Sequence, residues 1–108
     1  MIIGIAGPYS APTEKQRQEN LDALNTAAAR VLEAGHLPLV GVNAALPIIQ
    51  YTEVDHDYEV IMSISVAMMG ACEALLVIGN SPGVEKEKEV FITKGLPVYY
   101  SLDEVPEV

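Results

Sequence analysis

The chain has 108 residues, half of them hydrophobic and 19% charged, with a formal net charge of −9. That balance excludes a disordered polar tail, and it excludes the clustered basic face that binds a nucleic-acid polymer. The length predicts one domain over residues 1–108, burying roughly 60–70% of the unfolded surface without disulfide staples. The lone Cys72 has no partner for an intramolecular bridge, which fits a reducing, cytoplasmic setting.

Residues 2–6 are a continuous apolar run, the mark of a strand covered on both faces. The run has no basic flank and stops at Pro8, so no signal peptide is predicted. Thr13 and Gln16 make a capping box that opens a helix. Leu21, Leu24, Ala28, Val31 and Leu32 share its apolar stripe, and Gly35 ends it. A second strand is predicted over 37–42. Residues 43–54 read as irregular because Pro47 interrupts them. The uncharged stretch 34–52 is too broken by Gly and Pro for a membrane-spanning helix.

A long helix is predicted over about 55–71, with Tyr58, Ile61, Met62, Met68, Met69 and Cys72 on one face. The methionines suit a core or a subunit interface, and Cys72 reads as a small buried hydrophobe. Residues 74–79 are the third strand. Asn80-Ser81-Pro82-Gly83 then turns into a helix over about 84–94, closed by Gly95, and 96–100 is the last strand. Strands alternating with helices imply right-handed crossovers. The expected fold is a small doubly wound, flavodoxin/Rossmann-like α/β sandwich of three layers with a mainly parallel sheet of four to five strands. Ligands sit at the carboxyl ends of such strands, which singles out the loops 7–13, 43–54 and 79–84.

The first loop excludes several familiar chemistries. Gly4 and Gly7 do not complete a dinucleotide fingerprint, and there is no Walker lysine, Cys-x-x-Cys or acidic cluster after the first strand. His56 lies between two aspartates, but adjacent helical residues do not converge on a metal. His36 after Gly35 reads as a neighbour of the helix C-cap.

The last helix is more telling. At 100° per residue, Val84, Val90 and Phe91 point inward, and Glu87 falls in the middle of their stripe. Glu85, Glu89 and Thr93 face water. An inward carboxylate one turn into a helix, beside the carboxyl end of a strand, is costly unless it has a partner or a function.

Three stretches together resemble the nucleoside 2-deoxyribosyltransferase superfamily, which includes the deoxynucleoside 5′-monophosphate N-glycosidases. They are Gly7-Pro8-Tyr9, Ala71-Cys72-Glu73-Ala74-Leu75, and Ser81-x-Gly83-x-x-x-Glu87 followed by Lys94-Gly95-Leu96-Pro97-Val98-Tyr99. The resemblance implies that Glu87 is a nucleophile that attacks C1′ of a deoxyribosyl group and forms a covalent glycosyl-enzyme, with no metal or organic cofactor. A carboxylate suits that task, since it stabilises oxocarbenium character and then captures it. Tyr9 matches a loop tyrosine that orients the nucleophile or touches the sugar. Gly7, Pro8, Ser10, Ser81, Pro82 and Gly83 are the expected substrate contacts, with Ser81 and Gly83 at the positions that hold a 5′-phosphate; the alternative for Ser81 is a helix cap alone. Asn43, at the end of the second predicted strand, is read as a ligand contact or a turn residue. Free N–H groups at a helix start make an anion site without a lysine.

The chain departs from that family at one place. Eight residues before Glu73, where the family usually carries an aspartate, stands Ser65. Protonation of the leaving base then falls to other groups, with Asp55, Asp57 and Tyr58 as candidates at the helix start. The alternative is a nucleotide-binding module that keeps the pocket without the chemistry. The resemblance also implies a homodimer or homotetramer, consistent with a mean hydropathy of +0.26 in so acidic a chain.

Overall fold

In the computed structural model, which describes residues 1–53 and 57–108, the first apolar run is strand β1 (Ile2–Ala6). It lies inside a four-stranded, all-parallel sheet of order β2-β1-β3-β4, with β2 at Leu37–Leu39, β3 at Ala74–Val77 and β4 at Val98–Tyr99. Ile3 stands opposite Ala74, and Leu75 opposite Val98. Four helices flank the sheet among the described residues: α1 (Glu14–Glu33), α2 (Gly41–Ile49), α3 (Asp57–Met69) and α4 (Pro82–Lys94). This is the expected doubly wound sandwich, with four strands.

Strand alternation divides the core into two layers. Ile3, Ile5, Ala74 and Leu76 project toward Leu24, Ala27 and Val31 of α1. Ala6, Leu75 and Val77 project the other way, toward Met69 of α3 and Val84 and Phe91 of α4. Leu32, assigned to the buried stripe of α1, is instead 56% exposed, because at that turn Ala27 and Val31 already fill the contact with the sheet.

Helices α1 and α4 end in the same way. At the end of α1, Gly35 has φ +96° and donates to the Leu32 carbonyl, while His36 donates to the Val31 carbonyl. At the end of α4, Gly95 has φ +68°, with matching bonds from Gly95 to Ile92 and from Leu96 to Phe91. These are Schellman caps, and glycine takes the left-handed position in each. His36 does more than follow the cap. Its ring is buried, with Nδ1 3.0 Å from the Met1 amine and Nε2 against the Pro106 carbonyl, so it joins the start of β1 to the C-terminal segment.

At the start of α1, the Thr13 hydroxyl accepts from the Gln16 N–H at 3.2 Å, the first half of the capping box. The Gln16 side chain is exposed and makes no return bond among the described residues. Ser81 caps α4 in the same way, accepting from the Val84 N–H at 3.2 Å, with Pro82 in the first turn. Ser81→Ala should lower stability by about 1 kcal/mol, or roughly 4–8 °C in a melting experiment. An unchanged melt would show that this cap contributes nothing.

Several boundaries differ from the sequence reading. The second strand stops at Leu39 rather than 42, the third stops at Val77 rather than 79, and the last covers only Val98–Tyr99 of 96–100. Of the segment 43–54 read as irregular, residues 43–49 belong to the helix α2. Val42 and Ala45 of α2 are buried against the core, and that packing outweighs the helix-breaking signals of Gly41 and Pro47. The edge strand β2 carries Pro38 at its centre. Leu37 donates inward to the Met1 carbonyl at 2.9 Å, so alternation turns the proline nitrogen, which has no hydrogen, to the outer edge.

No helix among the described residues is long and apolar enough to cross a membrane.

Candidate functional site

The sheet reverses its winding between β1 and β3, and a cavity of about 260 Å³ opens at their carboxyl ends. The loop after β1 contributes Gly7, Pro8, Tyr9 and Ser10. The chain leaving β2 contributes Val40, Gly41 and Val42. Tyr58, Ile61, Met62 and Ser65 come from α3, and Ser81, Pro82, Gly83, Val84 and Glu87 from the start of α4. The size is near the lower end for small-molecule sites, and the mixture of apolar walls with few polar groups is typical of them.

Glu87 is the charged residue of this lining and is only 7% exposed. Its place follows from the helix period: one turn in from the Ser81 cap, on the same face as Val84 and Phe91, it must point toward α3. There the Ser65 hydroxyl donates to Oε2 at 2.6 Å. No lysine, arginine or histidine pairs with Glu87 among the described residues; Lys88 turns outward to Glu85 at 3.3 Å. Burial raises the Glu87 pKa above the ordinary glutamate value, and the Ser65 bond opposes that rise.

Ser65 is itself held in place. It is buried, and the start of α2 lies so close that a Cβ on Gly41 would overlap its hydroxyl. The start of α4 also approaches α3, since a Cβ on Gly83 would come 2.9 Å from Met62 Sδ and 3.4 Å from the Tyr58 hydroxyl. At the rim, the Lys86 ammonium lies 5.7 Å from the Tyr58 ring centroid.

The expected site residues separate into two groups. Gly7, Pro8, Tyr9, Ser10, Ser81, Pro82, Gly83 and Glu87 share one cavity. Asn43 lies outside it, in the first turn of α2, where its amide donates to Asn25 Oδ1 at 2.5 Å. Asp57 is exposed at the start of α3 and also outside the lining, whereas Tyr58 lies within it. Asp55 and His56 lie outside the described residues. Met62 borders the cavity, Met69 belongs to the core and Cys72 is a buried thiol whose pKa burial raises.

Two supports of the first loop escaped the sequence reading. Asn20 donates to the Tyr9 carbonyl at 2.9 Å, and Arg17 donates to the Ala11 carbonyl at 2.8 Å. Both lie where the apolar stripe of α1 continues toward its N-terminus, Asn20 four residues before Leu24 and Arg17 four residues before Leu21. Polar residues on a core-facing stripe were the available signal.

Among the described residues no three His, Cys, Asp or Glu side chains converge as metal ligands. No family model matches the chain, and no curated protein matches it.

Proposed function

We propose that the protein cleaves or transfers the N-glycosidic bond of a (deoxy)nucleoside or its 5′-monophosphate, with Glu87 as nucleophile. The observation that carries this reading is one buried carboxylate, without a cationic partner among the described residues, in a cavity at the carboxyl ends of β1 and β3. A carboxylate oxygen bonds to C1′ as the C1′–N bond breaks. The electron pair leaves with the base, which takes a proton from solvent. Water or a second base then displaces Glu87 from C1′ and restores the carboxylate; when water attacks, its proton is released. The apolar walls suit a flat base, and Tyr9 stands in the same cavity as Glu87.

The test is incubation with a panel of deoxynucleosides and their monophosphates, with free base read by chromatography. Release from none of them overturns the reading. A nucleotide-binding module without chemistry is favoured by one observation: Ser65 rather than an acid stands beside Glu87, and among the described residues the cavity lining holds no second carboxyl that could protonate the leaving base. Ligand-induced stabilisation without base release would select that reading.

At the start of α4, the Val84 N–H is taken by Ser81, but the Gly83 N–H has no partner among the described residues. With the positive end of the helix dipole, it forms the proposed 5′-phosphate position. Monophosphates should therefore raise the melting temperature more than the matching nucleosides. A ligand at ~100 times its Kd adds roughly 2.7 kcal/mol. Equal shifts would remove the phosphate from the reading and leave the glycosidic chemistry standing.

Assembly into a homodimer or homotetramer belongs to the same proposal. Exposed Ile48 and Tyr51 at the end of α2, with Tyr58 on α3, supply apolar surface for such a contact. Light scattering should give a mass above 11.6 kDa at micromolar concentration, and a monomer alone would refute the assembly.

A further inference from the structure

We infer that Ser65 is a positioning residue, which ties one oxygen of Glu87 and leaves the other to react. The inference rests on the glycosidic reading of the site. Ser65 donates to Oε2 at 2.6 Å, and Oε1 has no partner among the described residues. No fully buried side-chain nitrogen or oxygen among those residues lacks a partner. Oε1 is therefore not sealed in the protein, and it is the oxygen that meets the open cavity.

A helical serine commonly returns its hydroxyl to the carbonyl one turn earlier. Here the hydroxyl is spent on a side chain 22 positions along the chain, across the α3–α4 contact. The start of α2 packs directly against it, so closely that a Cβ on Gly41 would overlap the Ser65 hydroxyl. A second carboxylate in this position would stand within hydrogen-bonding distance of Glu87 and oppose its ionisation. The serine supplies a donor instead and favours the charged, nucleophilic form.

Other elements around Glu87 bring little competing charge. Tyr58 on α3 and Tyr9 in the loop after β1 are the titratable groups lining the cavity with it, and α2 brings only its backbone at Gly41. On α4 itself, Glu85 and Glu89 are exposed, Lys88 bonds to Glu85, and Lys86 lies over the Tyr58 ring.

The test follows the Glu87 side-chain carboxyl by carbon-13 NMR as a function of pH in the wild-type protein, Ser65→Ala and Ser65→Thr. Base release is measured in parallel. Ser65→Ala should move the Glu87 titration to higher pH and carry the acid limb of kcat with it. At a fixed pH on that limb, kcat should fall about tenfold or more with KM nearly unchanged. Ser65→Thr, which keeps the hydroxyl, should titrate close to wild type. A titration unmoved in Ser65→Ala overturns the inference, as does a loss confined to KM. Should Ser65→Ala fail to fold, a Ser65→Thr titration displaced upward overturns it. Absence of base release from the wild-type protein overturns the glycosidic reading instead. The titration needs no turnover, so it separates the two failures.

Discussion

Glu87→Gln should abolish base release, by about 10⁴-fold or more, while nucleotides still raise the melting temperature. The amide keeps the shape of the side chain, and its oxygen can accept from Ser65, so the cavity should stay intact. It cannot form the bond to C1′. Stability should move in the opposite direction from activity, and its pH dependence identifies the cause. Burial raises the folded-state pKa of Glu87 above that of the unfolded chain. Between those two values the folded protein binds more protons, so stability falls as pH rises through the folded pKa. Above it, the wild-type protein bears the full cost of a buried charge that Gln never carries. The variant should therefore melt higher than wild type at pH values above the folded-state pKa of Glu87, and the advantage should disappear below the ordinary glutamate range. Glu85→Gln and Glu89→Gln remove the same charge from exposed positions and should leave activity and melting close to wild type. If Glu87→Gln behaves like these two, Glu87 is not the nucleophile. If it unfolds the protein, the carboxylate is a structural partner of Ser65.

Gly41→Ala should destabilise the protein by about 1–3 kcal/mol, although helix propensity alone predicts a gain for alanine. A Cβ there would overlap Ser65 Oγ and lie 2.7 Å from Ser65 Cα, which is backbone and cannot swing aside. The start of α2 must then retreat from α3. Because the clash falls on the residue that holds Glu87, base release should decline together with the melting temperature. Gly95→Ala provides the contrast. That position has φ +68°, but nothing lies within 4 Å of an added Cβ. Its cost is conformational, roughly 1 kcal/mol, and should spare the site. A melting temperature for Gly41→Ala at or above wild type would show that α2 yields easily and that Ser65 is not confined by it.

These effects also show which parts of the molecule local sequence carries. β1, β3, α1 and α4 are legible because their signals are short-range: apolar runs, Thr13 and Ser81 as caps, Gly35 and Gly95 as stops. The inward direction of Glu87 follows from the helix period alone. α2 is not legible, since Gly41, Asn43 and Pro47 all speak locally for irregular chain. Only the burial of Val42 and Ala45 against elements distant in sequence makes it a helix. Ser65 stands between these cases. Its position in an apolar stripe is plain in the sequence, whereas its bond to Glu87 depends on how α3 and α4 cross. Asn20 and Arg17 are similar: polar side chains on a core-facing stripe announce partners without naming them.

The shape of the sheet margins has a bearing on behaviour at high concentration. Half of the residues are hydrophobic, a composition that invites fibril growth wherever a strand can recruit another chain. One margin here is a two-residue strand, and the other is a three-residue strand with an imino acid at its centre. Neither offers the run of consecutive amide hydrogens that a cross-β layer needs in order to propagate. Edge-to-edge pairing between folded copies is thereby disfavoured at both margins of the sheet.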